Sequence, residues 1–390
     1  MSARLLAALA AATLAALPAA AEQAPVRIGF VSTFSGPAAV FGEEMRHAFE
    51  LALDHLGRRV GDVPIEVIYE DDRQQPEIGA QKTRKLIESD HVAFLAGYVW
   101  SNVLLAALKP AVDAKTIIVS ANAGPSQIAG ELCTPYFFST SLENHQTASM
   151  IGLYMNQKGI RTAYMLGPNY TAGKDTLGGF KTSFSGTLVG ESYTRWPDQF
   201  DFSAELSKVR AAHPEAVFAF YPGPAGVQFL NQYAGAGLKD RIPLYTVYTI
   251  DETTLPLQGE NALGITGAQE WVNDLPNEAN RKFVAGYRAK YKTTPTFYGA
   301  QAYDAANLIA SGVAAVKGEI GRREEMIAAM AKAAYASVRG PYRYNNNHFP
   351  IQSFYLQTVA RAPDGTLGLR TVATIATAAE DAFHTRCPLR

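Results

Sequence analysis

A serine at the start of a predicted helix is the first candidate for ligand binding. Ser101 follows the apolar strand predicted at 92–95 and opens a helix that ends near Pro110. A capping hydroxyl, the free N–H groups of the first helical turn and the positive end of the helix dipole all favour an anion there. The alternative interpretation is that Ser101 only caps the helix.

A second loop adds main-chain hydrogen-bond donors. It follows the predicted strand at 116–119 and contains Asn122, Ala123 and Gly124. Because glycine has no Cβ, a ligand can approach the backbone closely at Gly124. Ser101 and this loop are together predicted to bind a carboxylate through hydroxyl and main-chain dipoles, without an arginine.

Aromatic side chains follow several of the predicted strands. In open α/β sheets the ligand crevice lies beyond the carboxyl ends of the strands. An aromatic lining there suits an apolar or planar ligand. The alternative interpretation, which applies to about half of these side chains, is that they pack between strands and helices and do not line a crevice. The residues are Phe41, Tyr98, Trp100, Tyr170, Tyr221 and Tyr248.

The sequence lacks the motifs of several enzyme classes. It has no G-x-S-x-G elbow and no P-loop, and its glycine pair at 235 and 237 follows a helix rather than a strand. The seven histidines show no metal-ligand spacing. The acidic run at 70–72 suits a solvated loop before a helix better than a cation site. We therefore expect no catalytic residue, no metal and no cofactor, and a secreted hydrolase is a distant alternative.

Apolar runs alternate with amphipathic segments along the chain, which predicts parallel sheets covered by helices. The strand–helix series occurs twice and ends in two long helices. The predicted class is therefore α/β, with two doubly wound parallel-sheet lobes joined by short crossovers. The strands are predicted at 26–31, 65–69, 92–95 and 116–119, then at 162–166, 191–196, 216–220 and 243–247.

Composition narrows the functional class. Of 390 residues, 47% are hydrophobic and 18% are charged, which excludes an intrinsically disordered chain. The 35 Lys and Arg residues against 36 Asp and Glu residues give a net charge of −1. A near-neutral chain offers no electrostatic reason to expect nucleic acid as a partner.

Residues 1–21 have the pattern of a secretory signal peptide. Arg4 precedes an apolar stretch from Leu5 to Leu17, and Ala19 and Ala21 fit an A-x-A cleavage site. The stretch is too short to span a bilayer, although an N-terminal anchor or a buried helix is an alternative. The prediction is an exported, periplasmic protein that begins near Glu22.

Export would place both cysteines in an oxidising space. Cys133 and Cys387 are the two cysteines of the chain. A disulfide that ties the C-terminal tail to the body is favoured over two free thiols.

Several segments together resemble the branched-chain amino-acid type of periplasmic solute-binding proteins, in order along the whole mature chain. The resemblance implies a type I periplasmic binding protein, with two α/β lobes joined by a three-crossover hinge. Lobe 1 would comprise 25–141 plus 272–351, and lobe 2 would comprise 142–271 plus 352–390. The segments are Ile28–Phe30, Phe34–Gly42, Gly97–Ser101, Ser120–Gly124, Asn169–Gly173 and Tyr298–Ala306.

The resemblance also implies a function and partners. The protein would close by its hinge on a small carboxylate and deliver it to an inner-membrane ABC permease. The expected oligomeric state is a monomer, and no nucleic acid is expected as a partner.

Site residues follow from the resemblance one at a time. Ser101 and the loop Asn122, Ala123 and Gly124 would hold the ligand carboxylate. Phe41, Tyr170 and, less directly, Tyr221 would cover the ligand with their rings.

The position that holds the ligand ammonium in amino-acid binders falls on Thr249. Without an acid there, a buried ammonium would be unpaired, at a cost of several kcal/mol. Together with Phe41 and Trp100, this looks more like the branch of the family that takes up benzoate- or cinnamate-like acids. A receptor for branched-chain or other amino acids or amides stays open, because Asp251 lies just beyond Thr249.

Overall fold

The computed structural model describes residues 24–389, so the expected signal peptide at 1–21 lies outside the described residues. Within them, the apolar runs form the strands of two separate sheets. The two sheets and the helices packed on them are the two lobes of the protein.

The first sheet has six strands and a buried, parallel centre. Its strands are β1 (Val26–Ser32), β2 (Arg59–Val60), β3 (Val63–Asp71), β4 (Phe94–Gly97), β5 (Ile117–Ser120) and β6 (Phe137–Ser139). Their order is β2-β3-β1-β4-β5-β6, and only the pair of β2 with β3 is antiparallel. Strands β4 and β5 are buried along their whole length, as expected for parallel strands covered on both faces.

Four helices connect the strands of the first sheet. They are α1 (Ala39–His55), α2 (Pro76–Glu88), α3 (Ser101–Asp113) and α4 (Ser126–Ala129). The apolar residues of α1 recur at the 3.6-residue period and are buried against the core. They include Met45, Ala48, Phe49, Ala52 and Leu53.

The second sheet has eight strands and is mixed. Its strands are β7 (Thr162–Pro168), β8 (Thr187–Thr194), β9 (Ala216–Ala219), β10 (Leu244–Thr246), β11 (Thr266–Gln269), β12 (Arg343–Tyr344), β13 (Pro350–Arg361) and β14 (Leu367–Ala379). Strands β7 to β11 pair in parallel, whereas β13 is antiparallel to β11 and to its neighbours β12 and β14. The expectation of purely parallel sheets therefore needs correction at this edge, where a hairpin returns the chain directly.

Five helices pack with the second sheet. They are α5 (Gln146–Gln157), α6 (Thr171–Ser183), α7 (Ser203–Ala212), α8 (Pro224–Gly235) and α9 (Leu255–Gln258). Three further helices then return to the first lobe, where α10 and α11 pack on α1. These are α10 (Glu278–Tyr291), α11 (Phe297–Ala315) and α12 (Arg323–Met330).

The chain crosses between the lobes three times: after β6, after β11 and before β13. The predicted class is confirmed, because two α/β lobes are joined by three crossovers. The residue boundaries 25–141 plus 272–351 and 142–271 plus 352–390 stay a prediction.

The C-terminal tail is tied to the first lobe by a covalent bond. Cys133 and Cys387 form a disulfide, and their Cα atoms lie 5.5 Å apart. Between residues 24 and 389, no helix combines the length and the apolar character needed to cross a membrane.

A buried ion pair organises the hinge. Arg339 donates from Nε to Asp304 Oδ2 at 3.1 Å, and the two side chains are 2% and 0% exposed. The same guanidinium donates from Nη1 to the carbonyl oxygen of Ser141 on the first crossover and to Gln352 Oε1 on β13. The Arg339 guanidinium thus joins α11 to the first crossover and to β13, the strand that follows the third crossover.

Replacing Arg339 by methionine is expected to destabilise the fold strongly. The Asp304 carboxylate would stay buried without its cation, which costs about 3–5 kcal/mol of unfolding free energy. Urea denaturation measures this loss. The matched control is Arg343→Met, which breaks an exposed pair with Glu380 at 3.5 Å and should cost less than ~1 kcal/mol. Equal losses in the two variants would contradict this role of Arg339.

Candidate functional site

A small cavity lies between the lobes, where the carboxyl ends of strands from both sheets face each other. It leaves about 40 Å³ for the centres of water-sized molecules. Since one water needs roughly 10–15 Å³ of such volume, the cavity suits a small molecule rather than a peptide. It is lined by Val99, Trp100, Ser101, Asn122, Ala123, Leu142, Asn144, Tyr170, Ala172, Thr176, Phe220, Pro222, Tyr248 and Tyr298.

The lining combines polar and aromatic side chains, and all of its residues are uncharged. Ser101, Asn122 and Asn144 supply hydroxyl and amide groups. A ligand anion in this cavity would therefore be held by dipoles rather than by a cation.

The end of β4 has an uncommon backbone conformation that positions part of the cavity lining. Tyr98 has a φ of +63°, which bulky residues rarely adopt. Its N–H donates to the carbonyl oxygen of Val31 at 2.7 Å, and its own carbonyl oxygen accepts from the N–H of Ala123 at 2.9 Å. The Tyr98 ring is fully buried in the core. The turn thus directs Trp100 and Ser101 towards the cavity while Tyr98 itself packs inside.

Ser101 is the first residue of α3, and Trp100 is its N-cap. Ser101 was predicted to be the N-cap, so the observed cap lies one position earlier in the chain. The N–H groups of Ser101, Asn102 and Val103 have no acceptor within the helix, as in the first turn of any α-helix. Ser101 Oγ accepts from Asn144 Nδ2 at 3.1 Å, so its hydroxyl proton is available for a ligand.

The loop after β5 contributes less than the sequence predicted. Asn122 and Ala123 line the cavity, and the Asn122 side chain is fixed by a bond from Nδ2 to the carbonyl oxygen of Val99 at 2.8 Å. The N–H of Ala123 is already bonded to Tyr98. Gly124 does not line the cavity. A Cβ at Gly124 would lie 1.8 Å from the carbonyl oxygen of Leu142, so glycine is required there by the close approach of the first crossover.

Three phenols line the cavity, and two of them, Tyr170 and Tyr298, come from opposite lobes. Tyr170 precedes α6 in the second lobe, and Tyr298 lies in the first turn of α11. Burial raises the pKa of both hydroxyls far above the ordinary value of tyrosine. Both therefore stay protonated and can only form neutral hydrogen bonds with a ligand.

Tyr221 and Thr249 are placed outside the cavity. Side chains alternate along extended backbone, so Phe220 and Pro222 line the cavity while Tyr221 points into the core of the second lobe. There its ring contacts Phe229, with a centroid distance of 4.8 Å. Thr249 is fully buried, and its Oγ1 accepts from the N–H of Tyr221 at 3.0 Å. Thr249 thus holds the loop rather than a ligand.

Phe41 lies behind the wall of the cavity. Its ring packs on Tyr298 and Trp100, with centroid distances of 4.7 and 5.6 Å. Those two residues line the cavity and separate Phe41 from it. The expected role as a direct cover is therefore taken by the residues that Phe41 supports.

One oxygen of the Asp251 carboxylate is engaged within its own turn, whereas Oδ2 is buried without a hydrogen-bond partner among the described residues. Its Oδ1 accepts from the N–H groups of Thr253 and Thr254, both at 2.8 Å. The side chain is 1% exposed and does not line the cavity. The acid that an amino-acid ligand would need is thus absent from the lining.

Several lining residues were not assigned a role from the sequence, and Asn144 and Tyr298 are the two that matter most for binding. Asn144 lies on the first crossover, where no local pattern marks a binding residue. Tyr298 lies in a segment that carries the family resemblance, but no local pattern indicates that α11 reaches the cavity.

Three residues near the hinge could hold a metal by spacing alone. Glu143, His145 and Asp175 offer ligand atoms within 4.8 Å of one another. Protein hydrogen bonds account for this cluster, because His145 Nδ1 lies 2.7 Å from Glu143 Oε1 and Asp175 accepts from Ser126 and Asn144. The acidic run at 70–72 is likewise bonded by the protein, with Glu70 paired to Lys82 and Lys85.

Comparison with known proteins identifies the family. Residues 25–366 match the family described as periplasmic binding protein. The Leu/Ile/Val-binding protein homolog 6 of Brucella melitensis biotype 1 is 30% identical over 370 residues, which cover 93% of this chain and 94% of that protein.

Solved structures of ABC transporter solute-binding proteins superpose on most of the chain. One from R. palustris in complex with benzoate is 32% identical, with a TM-score of 0.87 and coverage of 94% of this chain and 100% of that one. One from Rhodopseudomonas palustris BisB5 in complex with 3,4-dihydroxybenzoic acid is 29% identical, with a TM-score of 0.86 and coverage of 92% and 99%. The chain therefore belongs to the periplasmic binding protein family and is a binding protein of the ABC-transporter type.

Proposed function

We propose that the protein captures a small aromatic carboxylate between its lobes in the periplasm and delivers it to an inner-membrane ABC permease. The observation that carries the proposal is the lining of the cavity, which is uncharged and combines hydrogen-bond donors with aromatic rings. We infer that it acts as a monomer.

In this proposal the carboxylate lies at the start of α3. Ser101, the first residue of that helix, lines the cavity, and the first turn offers free N–H groups and the positive end of the helix dipole. Ser101 Oγ accepts from Asn144, so its hydroxyl proton is free to be donated to the ligand. The bond comes from an amide and not from a base, which supports binding rather than nucleophilic catalysis by Ser101.

The body of the ligand is placed among the rings of Trp100, Tyr170, Phe220, Tyr248 and Tyr298. Flat rings on several sides favour a planar ligand. Relatives solved with benzoate and 3,4-dihydroxybenzoic acid support this ligand class.

The branched-chain amino acids are the second candidate, because curated relatives are named Leu/Ile/Val-binding protein homologues. A zwitterionic ligand needs a partner for its ammonium group. The lining offers no carboxylate, and Asp251 is bonded to its own turn. A buried ammonium without a partner carries a large free-energy cost.

Closure depends on contacts between the lobes. Asp175 on α6 accepts from the N–H of Ser126 at 3.1 Å and from Ser126 Oγ at 3.0 Å, both at the start of α4 in the first lobe. Gly223 of the second lobe lies against the ring of Phe41 in the first. A ligand that touches both lobes would shift the population to this closed form.

Benzoate and 4-hydroxybenzoate are expected to raise the melting temperature of the mature protein, whereas leucine and isoleucine are not. A ligand that binds only the folded state adds about 2.7 kcal/mol of stability at a hundredfold excess over Kd. Thermal-shift screening measures this, and acetate is the control for a carboxylate without a ring. A shift with leucine but not with benzoate would replace the proposal by the amino-acid candidate.

Ser101→Ala is expected to raise the Kd for benzoate about tenfold or more. The variant leaves a buried anionic acceptor without one donor, which costs ~1–3 kcal/mol. Isothermal titration calorimetry measures the Kd. The control is Ser207→Ala on the exposed side of α7, which should leave the affinity unchanged. Unchanged affinity in Ser101→Ala would remove Ser101 from the site.

Gly223→Ala is expected to weaken benzoate binding about tenfold by obstructing closure. Gly223 has a φ of +61°, and a Cβ there would lie 2.4 Å from Phe41 Cζ in the other lobe. Overpacking of this kind costs ~1–3 kcal/mol, and only in the closed form, because Phe41 belongs to the other lobe. The matched control is Gly235→Ala. Gly235 is the last residue of α8, the helix that follows Gly223, and an added Cβ there meets no atom within 4 Å. Similar Kd values for the two variants in calorimetry would contradict this role of the contact.

A further inference from the structure

A second cavity lies beside the ligand cavity and shares a wall with it. By the same measure its volume is about 140 Å³, and its lining comes from both lobes and is mostly apolar, with Gln74 and Asp198 as the polar members. Phe41 contributes from the first lobe, and Trp196 and Phe200 contribute from the second. Trp100 and Pro222 line both cavities, so the Trp100 ring is part of the wall between them.

The Trp100 ring is packed on several sides by aromatic rings. Its centroid lies 5.0 Å from that of Trp196, 5.6 Å from that of Phe41 and 6.2 Å from that of Tyr170. Trp100 is 3% exposed. The ring is therefore held in one place by packing, with a cavity on either side.

A chain of buried hydrogen bonds fixes the direction of the indole. Trp100 Nε1 donates to Thr33 Oγ1 at 2.8 Å, and Thr33 Oγ1 donates to Asp72 Oδ1 at 2.5 Å. An indole N–H can only donate, so the single hydroxyl proton of Thr33 is left for the carboxylate.

Asp72 is in turn held in place by the backbone. Its Oδ1 also accepts from the N–H of Gln74 at 2.8 Å. Burial raises the pKa of Asp72 to about 6, so the carboxylate is ionised at neutral pH and acts as an acceptor. Thr33 and Asp72 are 1% and 0% exposed, which shields both bonds from water.

We propose that Trp100 sets the upper size limit of the ligand by separating the two cavities, and that Thr33 and Asp72 are positioning residues that hold the indole across the passage. The inference rests on the proposed function and deepens it. The ligand class is then single-ring aromatic acids, and acids with a second apolar ring are excluded. Loss of the indole would join the cavities and give the second ring a place.

The test compares the Kd of benzoate with those of biphenyl-2-, biphenyl-3- and biphenyl-4-carboxylate by calorimetry. The unmodified protein should bind benzoate at least tenfold more tightly than any of the three. For at least one biphenylcarboxylate, the Kd of Trp100→Ala should be at least tenfold lower than that of the unmodified protein. Trp100→Leu, which preserves more of the packing, should change the preference in the same direction and serves if the alanine variant does not fold.

Phe200→Ala is the matched control. Phe200 lines the outer cavity and not the inner one, so its loss enlarges the outer cavity and leaves the rings that pack on Trp100 in place. It should show no gain for any biphenylcarboxylate. A gain in Phe200→Ala equal to that in Trp100→Ala would overturn the assignment of the limit to Trp100.

The positioning role is tested at Thr33. Thr33→Val keeps the shape and removes the hydroxyl, and should lower the ratio of biphenylcarboxylate Kd to benzoate Kd at least threefold. Thr33→Ser restores the hydroxyl and should restore the ratio. A purely structural role would weaken both ligands alike and leave the ratio unchanged, which would overturn the positioning role.

The remaining outcomes separate the two levels of the proposal. If benzoate binds and no Trp100 variant gains a biphenylcarboxylate, the size limit is overturned while the proposed function stands. If neither benzoate nor 4-hydroxybenzoate binds the unmodified protein, the proposed function fails and the size limit fails with it.

Discussion

The side-chain amide of Asn144 connects the proposed ligand site to the contacts between the lobes. An amide NH₂ group has two hydrogens. One bond from Asn144 Nδ2 runs to Ser101 Oγ in the first lobe at 3.1 Å, and the other runs to Asp175 Oδ2 in the second lobe at 3.0 Å. Asn144 itself lies on the first crossover. The orientation of the Ser101 hydroxyl, and with it the donor offered to a ligand, therefore depends on the position of the second lobe.

Two buried acids make closure of the lobes sensitive to pH. Glu44 in the first lobe and Glu252 in the second interact electrostatically. Burial raises the pKa of Glu44 to about 7 and that of Glu252 to about 8. Both are thus largely protonated at moderately acidic pH, and their mutual repulsion is then small. As the pH rises through these values, the acids ionise and repel each other, and the closed form becomes less favourable.

Much of the fold followed from the sequence, because alternating apolar runs and amphipathic segments report burial directly. Strand β14 was not predicted from the sequence. Most of its residues are exposed, so its apolar residues do not follow a regular alternation with polar ones. In the site, Ser101, Trp100 and Tyr170 were predicted because they follow strands or begin helices. Tyr221 was not placed correctly, because alternation along extended backbone turns one residue inwards and the next outwards, and a shift of one position reverses the outcome.

Residues from outside the strand ends required the tertiary structure. Asn144 and Tyr298 reach the cavity because the first crossover and α11 pass beside it, and neither has a local signal of that role. The contacts that close the lobes are also tertiary. They include Asp175 with neutral donors on α4, Gly223 with Phe41, and Trp100 with Trp196 and Tyr170. A ligand that bridges the lobes adds its own contacts to these and shifts the population to the closed form, which is the property that a transport receptor requires.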